Sequence, residues 1–145
     1  MAATVRDYSK RGENNWQVPT YNNVVTLDSN DPQLKQLGKT KDLAPDERIY
    51  AVRFQKERGF VVTFREVDPL YTMDLSDPKN PQVIGELKIP GFSNYMQIID
   101  KDHILAIGEH GNDEGQIFGM KLSIFDVSNM KQPIEKHQHL SLIHI

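Results

Sequence analysis

Cysteine is absent from this chain of 145 residues. That absence excludes a disulfide framework, thiol catalysis and thiolate ligation of metals. No apolar run approaches the roughly 20 residues needed to span a bilayer, and no basic-then-apolar leader pattern opens the sequence. Charge of one sign is also lacking. The formal net charge is -3, and Lys and Arg are scattered among Asp and Glu. No nucleic-acid footprint or membrane-surface patch is therefore indicated. The spacings G-x-S-x-G, H-E-x-x-H, G-x-x-x-x-G-K-[ST] and G-x-G-x-x-G do not occur, so the common hydrolase, metalloprotease and nucleotide-binding signatures are missing. Amphipathic helices are missing too, because 9 glycines and 8 prolines interrupt most windows long enough to hold one.

What the chain does contain is a repeat. Three segments share an apolar strand closing on Asp, a turn of Ser, Asn, Asp and Pro, and a second short strand. They are NVVTLDSNDPQLKQLGK from Asn23, LYTMDLSDPKNPQVIGEL from Leu70 and LSIFDVSNMKQPIEKH from Leu122. The closing residues Asp28, Asp74 and Asp126 recur at a spacing of roughly 50 residues, in the range of four-stranded propeller blades. RIYAVRF and GFVVTF flank the polar turn QKERG, and YMQIID and HILAIGE flank Asp100–Asp102. These segments are rich in β-branched and aromatic residues, which suits a pleated sheet. The expected fold class is all-β, with blades of about four antiparallel strands at roughly 1–47, 48–94 and 95–139.

The phrase from Glu47 to Tyr95 carries a resemblance. It contains ERIYAVRF, VTFREVDPLY, DLSDPKNP and GELKIPGFS, and GMKLSIFDVSN follows in the next unit. In these motifs the chain resembles a family of predicted secreted bacterial and archaeal β-propeller proteins, distantly related to WD-type repeats. The resemblance covers roughly Met1 to His139. It implies a propeller fold and an extracytoplasmic location, and carries over no catalytic residue. One departure is YMQIID, where the family more often has a Leu-His-Pro phrase; Gln97 cannot act there as an acid, a base or a metal ligand. A propeller ring needs about four to eight blades, and this chain holds about two and a half, so the reading is of an internal piece of a propeller. LSLIHI, residues 140–145, translates CTG TCT CTT ATA CAC ATC, a library-adapter end, and is expected to be a non-native tail.

Candidate sites follow from residue chemistry. Asp28, Asp74, Asp77, Pro78, Pro81 and Asp126 read as turn builders, since Asp caps the backbone two residues on and Pro pre-sets the turn dihedral. Glu109, Asn112, Asp113 and Glu114 offer hard oxygen ligands in a glycine-rich loop that suits Ca²⁺, although the spacing is not that of an EF-hand. His137 and His139 share one face of a strand, but no further zinc ligand is evident beside them. Arg65, Asp68 and Trp16 lie in connections and are the candidates for a binding face. Two function classes stay open. The favoured one is a non-catalytic scaffold of a secreted or envelope protein that binds protein or polysaccharide, with no cofactor beyond the candidate calcium. The alternative is an extracytoplasmic propeller hydrolase or lyase with its site at the channel mouth, since propellers host both.

Overall fold

The structure, a computed structural model, describes residues 1–6, 18–64, 68–89, 91–112 and 116–142. Its strands are β1 (Ala2–Arg6), β2 (Thr20–Leu27), β3 (Gln36–Lys39), β4 (Arg48–Gln55), β5 (Arg58–Phe64), β6 (Asp68–Asp74), β7 (Gln82–Ile89), β8 (Phe92–Ile98), β9 (His103–Gly111), β10 (Ile117–Asp126) and β11 (Ile134–Leu142). No helix occurs among the described residues. The strands form three antiparallel meanders, β1-β2-β3, β4-β5-β6-β7 and β8-β9-β10-β11. Strands β2, β6 and β10 each lead into one of the three Asp turns. The first sheet therefore corresponds to the second, third and fourth strands of the other two. Residues 140–142 belong to β11, where Leu140 pairs with Lys121 and Ser141 with Met120.

The middle sheet explains why GFVVTF does not alternate. Phe60, Val61, Val62 and Thr63 in β5 are all fully buried, because both faces of this sheet are covered. On one face Phe60, Val62 and Leu70 meet Met96, Ile104 and Phe125 of the third sheet. On the other, Val61 and Met73 meet Val24 of the first sheet and Leu43 of the β3–β4 connection. Full burial of each such side chain stabilises by about 1.5–3 kcal/mol relative to exposure. Layered sheets bury their apolar faces in this way, with each strand presenting alternate residues to opposite sides.

In β10 of the third sheet the more polar half of an alternating strand is the buried half. Along β10 the residues on the buried face are Gly119, Lys121, Ser123 and Phe125, while Phe118, Met120 and Leu122 are exposed. Lys121 is buried toward the middle sheet, where its Nζ lies 2.8 Å from Glu135 Oε1. Ser123 Oγ donates to the same oxygen at 2.6 Å. A buried cation is tolerated only with such partners.

Candidate functional site

The connections of a meander alternate between its two ends. One end carries β4–β5, β8–β9 and the three Asp turns; the other carries β1–β2, β3–β4, β5–β6, β7–β8 and β9–β10. At the turn end the three Asp segments repeat a common geometry. Asp28, Asp74 and Asp126 each accept, on Oδ1, the backbone N–H two residues ahead, from Asn30 at 2.9 Å, Ser76 at 2.9 Å and Ser128 at 3.0 Å. Three residues later the pattern recurs, with Gln33 N–H donating to Asp31, Lys79 N–H to Asp77 and Lys131 N–H to Asn129. Each turn is thus a tandem of Asx caps that consumes carboxylate or amide oxygens on its own backbone. Asp77→Ala removes one cap, and is expected to cost about 1 kcal/mol of stability by chemical denaturation, with divalent-cation affinity unchanged in a parallel titration.

These turns also dock on the neighbouring sheet. Thr26 Oγ1 of β2 donates to the Pro78 carbonyl of the second turn, and Thr72 Oγ1 of β6 donates to the Met130 carbonyl of the third. Opposite each threonine stands a glycine, Gly38 beside Thr26 and Gly85 beside Thr72. A Cβ on Gly38 would lie 2.5 Å from the Pro78 carbonyl oxygen and 2.7 Å from that of Lys79. A Cβ on Gly85 would collide with the Met130 carbonyl oxygen. Both glycines exist for close backbone approach. Arg58, at the start of β5, adds a clamp. Its guanidinium donates to the carbonyls of Lys101 and Val127, the latter at 2.7 Å, and to Met130 Sδ at 3.2 and 3.3 Å. It also stacks 5.4 Å from the Phe60 ring centroid. A cleft of about 490 Å³ opens between the β4–β5 and β8–β9 turns, lined in part by Lys56, Ile98 and Ile99. Its most enclosed cation, Arg58, is already committed to those carbonyls.

Neither Arg58 nor the two glycines was singled out from the sequence. Arg58 sits in QKERG, which reads as an ordinary polar turn. The glycines left a readable trace, each lying inside a short strand shortly after a repeat Asp.

Trp16, Arg65, Asp113 and Glu114 fall outside the described residues. Asp68 is described by its backbone alone, opposite Ile89 at the head of β6. Of the calcium candidates, Glu109 lies in β9, and its Oε2 is enclosed without a hydrogen-bond partner among the described residues. Asn112 Oδ1 accepts the Gln116 N–H at 3.0 Å, and its amide donates to Gln116 Oε1 at 2.9 Å. Among the described residues no three His, Asp or Glu side chains gather as a metal site would require. His137 and His139 lie on β11, paired with Ile124 and Leu122.

His103 heads β9, at the position that Arg58 holds in the middle sheet. Its Nδ1 faces both Asp100 carboxylate oxygens at 3.0 Å, and its Nε2 faces Lys136 Nζ at 3.1 Å. Lys136 also lies 3.2 Å from Asp126. Hydrogen bonds from the Ser128 hydroxyl and N–H, with Lys136 beside them, hold the Asp126 carboxyl far below its ordinary range. Ser76 lowers Asp74 in the same way, and the Asp102 N–H lowers Asp100, with His103 assisting. Each carboxylate therefore has a lower pKa folded than unfolded. The stability they contribute is complete above the ordinary carboxylate pKa near 4 and is lost as pH falls below it. A thermal-melting series is expected to show a falling midpoint from about pH 4 downward, with a weaker acid dependence in Asp126→Asn. At the alkaline limit, burial raises the Tyr71 phenol to about 12, aided by Glu86 and Glu47.

Strands β4 and β8, which meet along the edges of the middle and third sheets, carry the remaining cluster. The Arg53 guanidinium lies 5.0 Å from the Tyr95 ring centroid, and Tyr95 Oη donates to Gln97 Oε1 at 2.8 Å. Tyr95 is 44% exposed, so an aromatic ring and two planar polar groups from adjacent sheets share one accessible surface.

The comparisons agree with this architecture. A protein of Archaeoglobus fulgidus described as uncharacterised is 47% identical over 110 residues, which is 76% of this chain and 17% of the relative. A second uncharacterised protein, from Methanocaldococcus jannaschii, is 40% identical over 135 residues, 93% of this chain and 20% of the relative. The chain thus spans about one fifth of the length of the curated relatives it matches. No solved structure matches the chain. The family model for the beta propeller domain matches residues 1–141. The chain belongs to the beta propeller domain family.

Proposed function

We propose that this chain is part of a non-catalytic propeller scaffold, outside the cytoplasm or at the cell envelope, that binds polysaccharide or protein. The extracytoplasmic placement rests on the motif resemblance around DLSDPKNPQVIGELKIPGF. The binding role rests on one observation, the cluster of half-buried Arg53 with exposed Tyr95 and Gln97 where β4 meets β8. An amphipathic ring beside planar donors and acceptors gives contact area at low entropic cost, and the same chemistry suits sugar rings and peptide surfaces. The turn end contributes rigidity, because its carboxylates are spent on backbone N–H groups.

The test is affinity electrophoresis of the intact protein in gels cast with purified envelope polysaccharide, paired with a solution-binding assay against solubilised envelope protein. Tyr95→Ala and Arg53→Ala are expected to weaken binding in one of these assays by about tenfold, the loss of a single interface anchor, without moving the melting midpoint. Wild-type binding by both variants would rule out β4 and β8 as the binding surface.

A further inference from the structure

The third sheet has an uncovered face that repeats the covered face of the middle sheet in register. Leu105, Ile107, Leu122 and Ile124 stand where Phe60, Val62, Leu70 and Thr72 stand, because Leu105 pairs with Ile124 and Ile107 with Leu122 as Phe60 pairs with Thr72 and Val62 with Leu70. In the middle sheet this ladder lies under the third sheet. In the third sheet Leu122 is 38% exposed.

The docking elements do not repeat. At the position of Thr72 the third sheet has Ile124, and at the position of Gly85 it has His137, again directly opposite. At the position of Arg58 it has His103, which is occupied within its own sheet by Asp100 and Lys136. Ile124 has no hydroxyl to offer a turn carbonyl, and His137 places a whole imidazole where even a Cβ at Gly85 would collide. The first two junctions carry the Thr–Gly pair, and the Arg58 clamp strengthens the second; the third face has neither.

We propose that Thr26–Gly38 and Thr72–Gly85 are sockets that select which β-sheet docks on a given face. The third face, lacking a socket, receives a sheet whose turn stops short of Ile124. The occupant is a β-sheet laid face to face on the apolar ladder, because that ladder continues, position for position, the interface already formed between the middle and third sheets. A sheet carrying the tandem Asp turn is refused at this face by His137. The sockets thus discriminate by steric exclusion as much as by attraction.

The experiment exploits the absence of cysteine. Leu122→Cys places one thiol on the uncovered ladder, read by its rate of reaction with a disulfide reagent. In the chain of 145 residues the thiol is expected to react freely. The probe sheet is the third sheet itself, residues 91–142 repeated directly after Leu142, since that segment already covers the middle sheet. In this tandem polypeptide the thiol is expected to stay reactive. With Ile124→Thr and His137→Gly in the first copy, the reaction is expected to slow at least about tenfold, as burial demands local opening. Equal protection in both tandem forms, or protection in neither, would overturn the proposal. A second measurement does not depend on the tandem protein folding. In the original chain Thr72→Val should accelerate amide exchange at Lys131 and Gln132, and Thr72→Ser should restore the wild-type rate. Wild-type exchange in Thr72→Val would equally overturn it.

Discussion

Arg58→Ala should destabilise the chain by about 3 kcal/mol or more, the range for removing charge-assisted hydrogen bonds that leave buried acceptors unpaired. The guanidinium ties the head of β5 to the Lys101 and Val127 carbonyls and to Met130 Sδ. Its side chain is only 20% exposed, and Val127 is almost fully buried. The Val127 carbonyl would therefore lose its donor at a place where water replaces it poorly. Arg58→Lys should recover less than half of the loss, since one ammonium cannot span these acceptors as a planar fork does. The ion pair with Asp102 contributes little, because its closest approach is 4.0 Å and the Asp102 side chain is 40% exposed. Urea denaturation of the three proteins checks the ranking. A change below about 1 kcal/mol in Arg58→Ala, the level of an ordinary surface substitution, would mean that the sheets are held together elsewhere.

Gly85→Ala should cost about 3 kcal/mol, at the upper end for overpacking, because the obstruction is backbone and cannot rotate away. The added Cβ would strike the Met130 carbonyl oxygen and Thr72 Oγ1 together. Relief requires the third turn to lift from β6, which breaks the Thr72 hydrogen bond and loosens the packing of Met130 against the core around Phe125. Gly38→Ala acts on the homologous contact at the first junction. Gly59→Ala is the control. Its Cβ would meet only side-chain atoms, at 3.3 Å, so its effect should be the smaller. Thermal melts of the three variants separate these outcomes.

Much of this architecture was legible in the sequence. The three echoes of Asp28, Asp74 and Asp126 placed β2, β6 and β10 and the turn that follows each, because Asx chemistry is local and needs only the residues beside it. β5 was readable as a strand from its β-branched and aromatic residues, but with only partial alternation in GFVVTF its burial on both faces emerged from the structure. What local pattern could not disclose was the partner of each face. IFGMKLSIF alternates, and the apolar half, Phe118, Met120 and Leu122, has the look of a core stripe. The structure buries Gly119, Lys121 and Ser123 instead, because that side faces the middle sheet and Glu135 supplies a counterion for Lys121. Arg58 was illegible for the same reason, since its acceptors lie far along the chain. Of the candidate sites, the Asp turns are described in full. Trp16, Arg65, Asp113 and Glu114 lie outside the described residues.

The central claim is that the Asp turn of one sheet docks on the sheet before it, and a double-mutant cycle between Arg58→Ala and Met130→Ala tests it most directly. The two residues are distant in sequence and meet only across that junction. Docking predicts a coupling energy of about 1 kcal/mol, within the usual span for residues in direct contact. Additivity to within about 0.3 kcal/mol, the behaviour of independent sites, would contradict it.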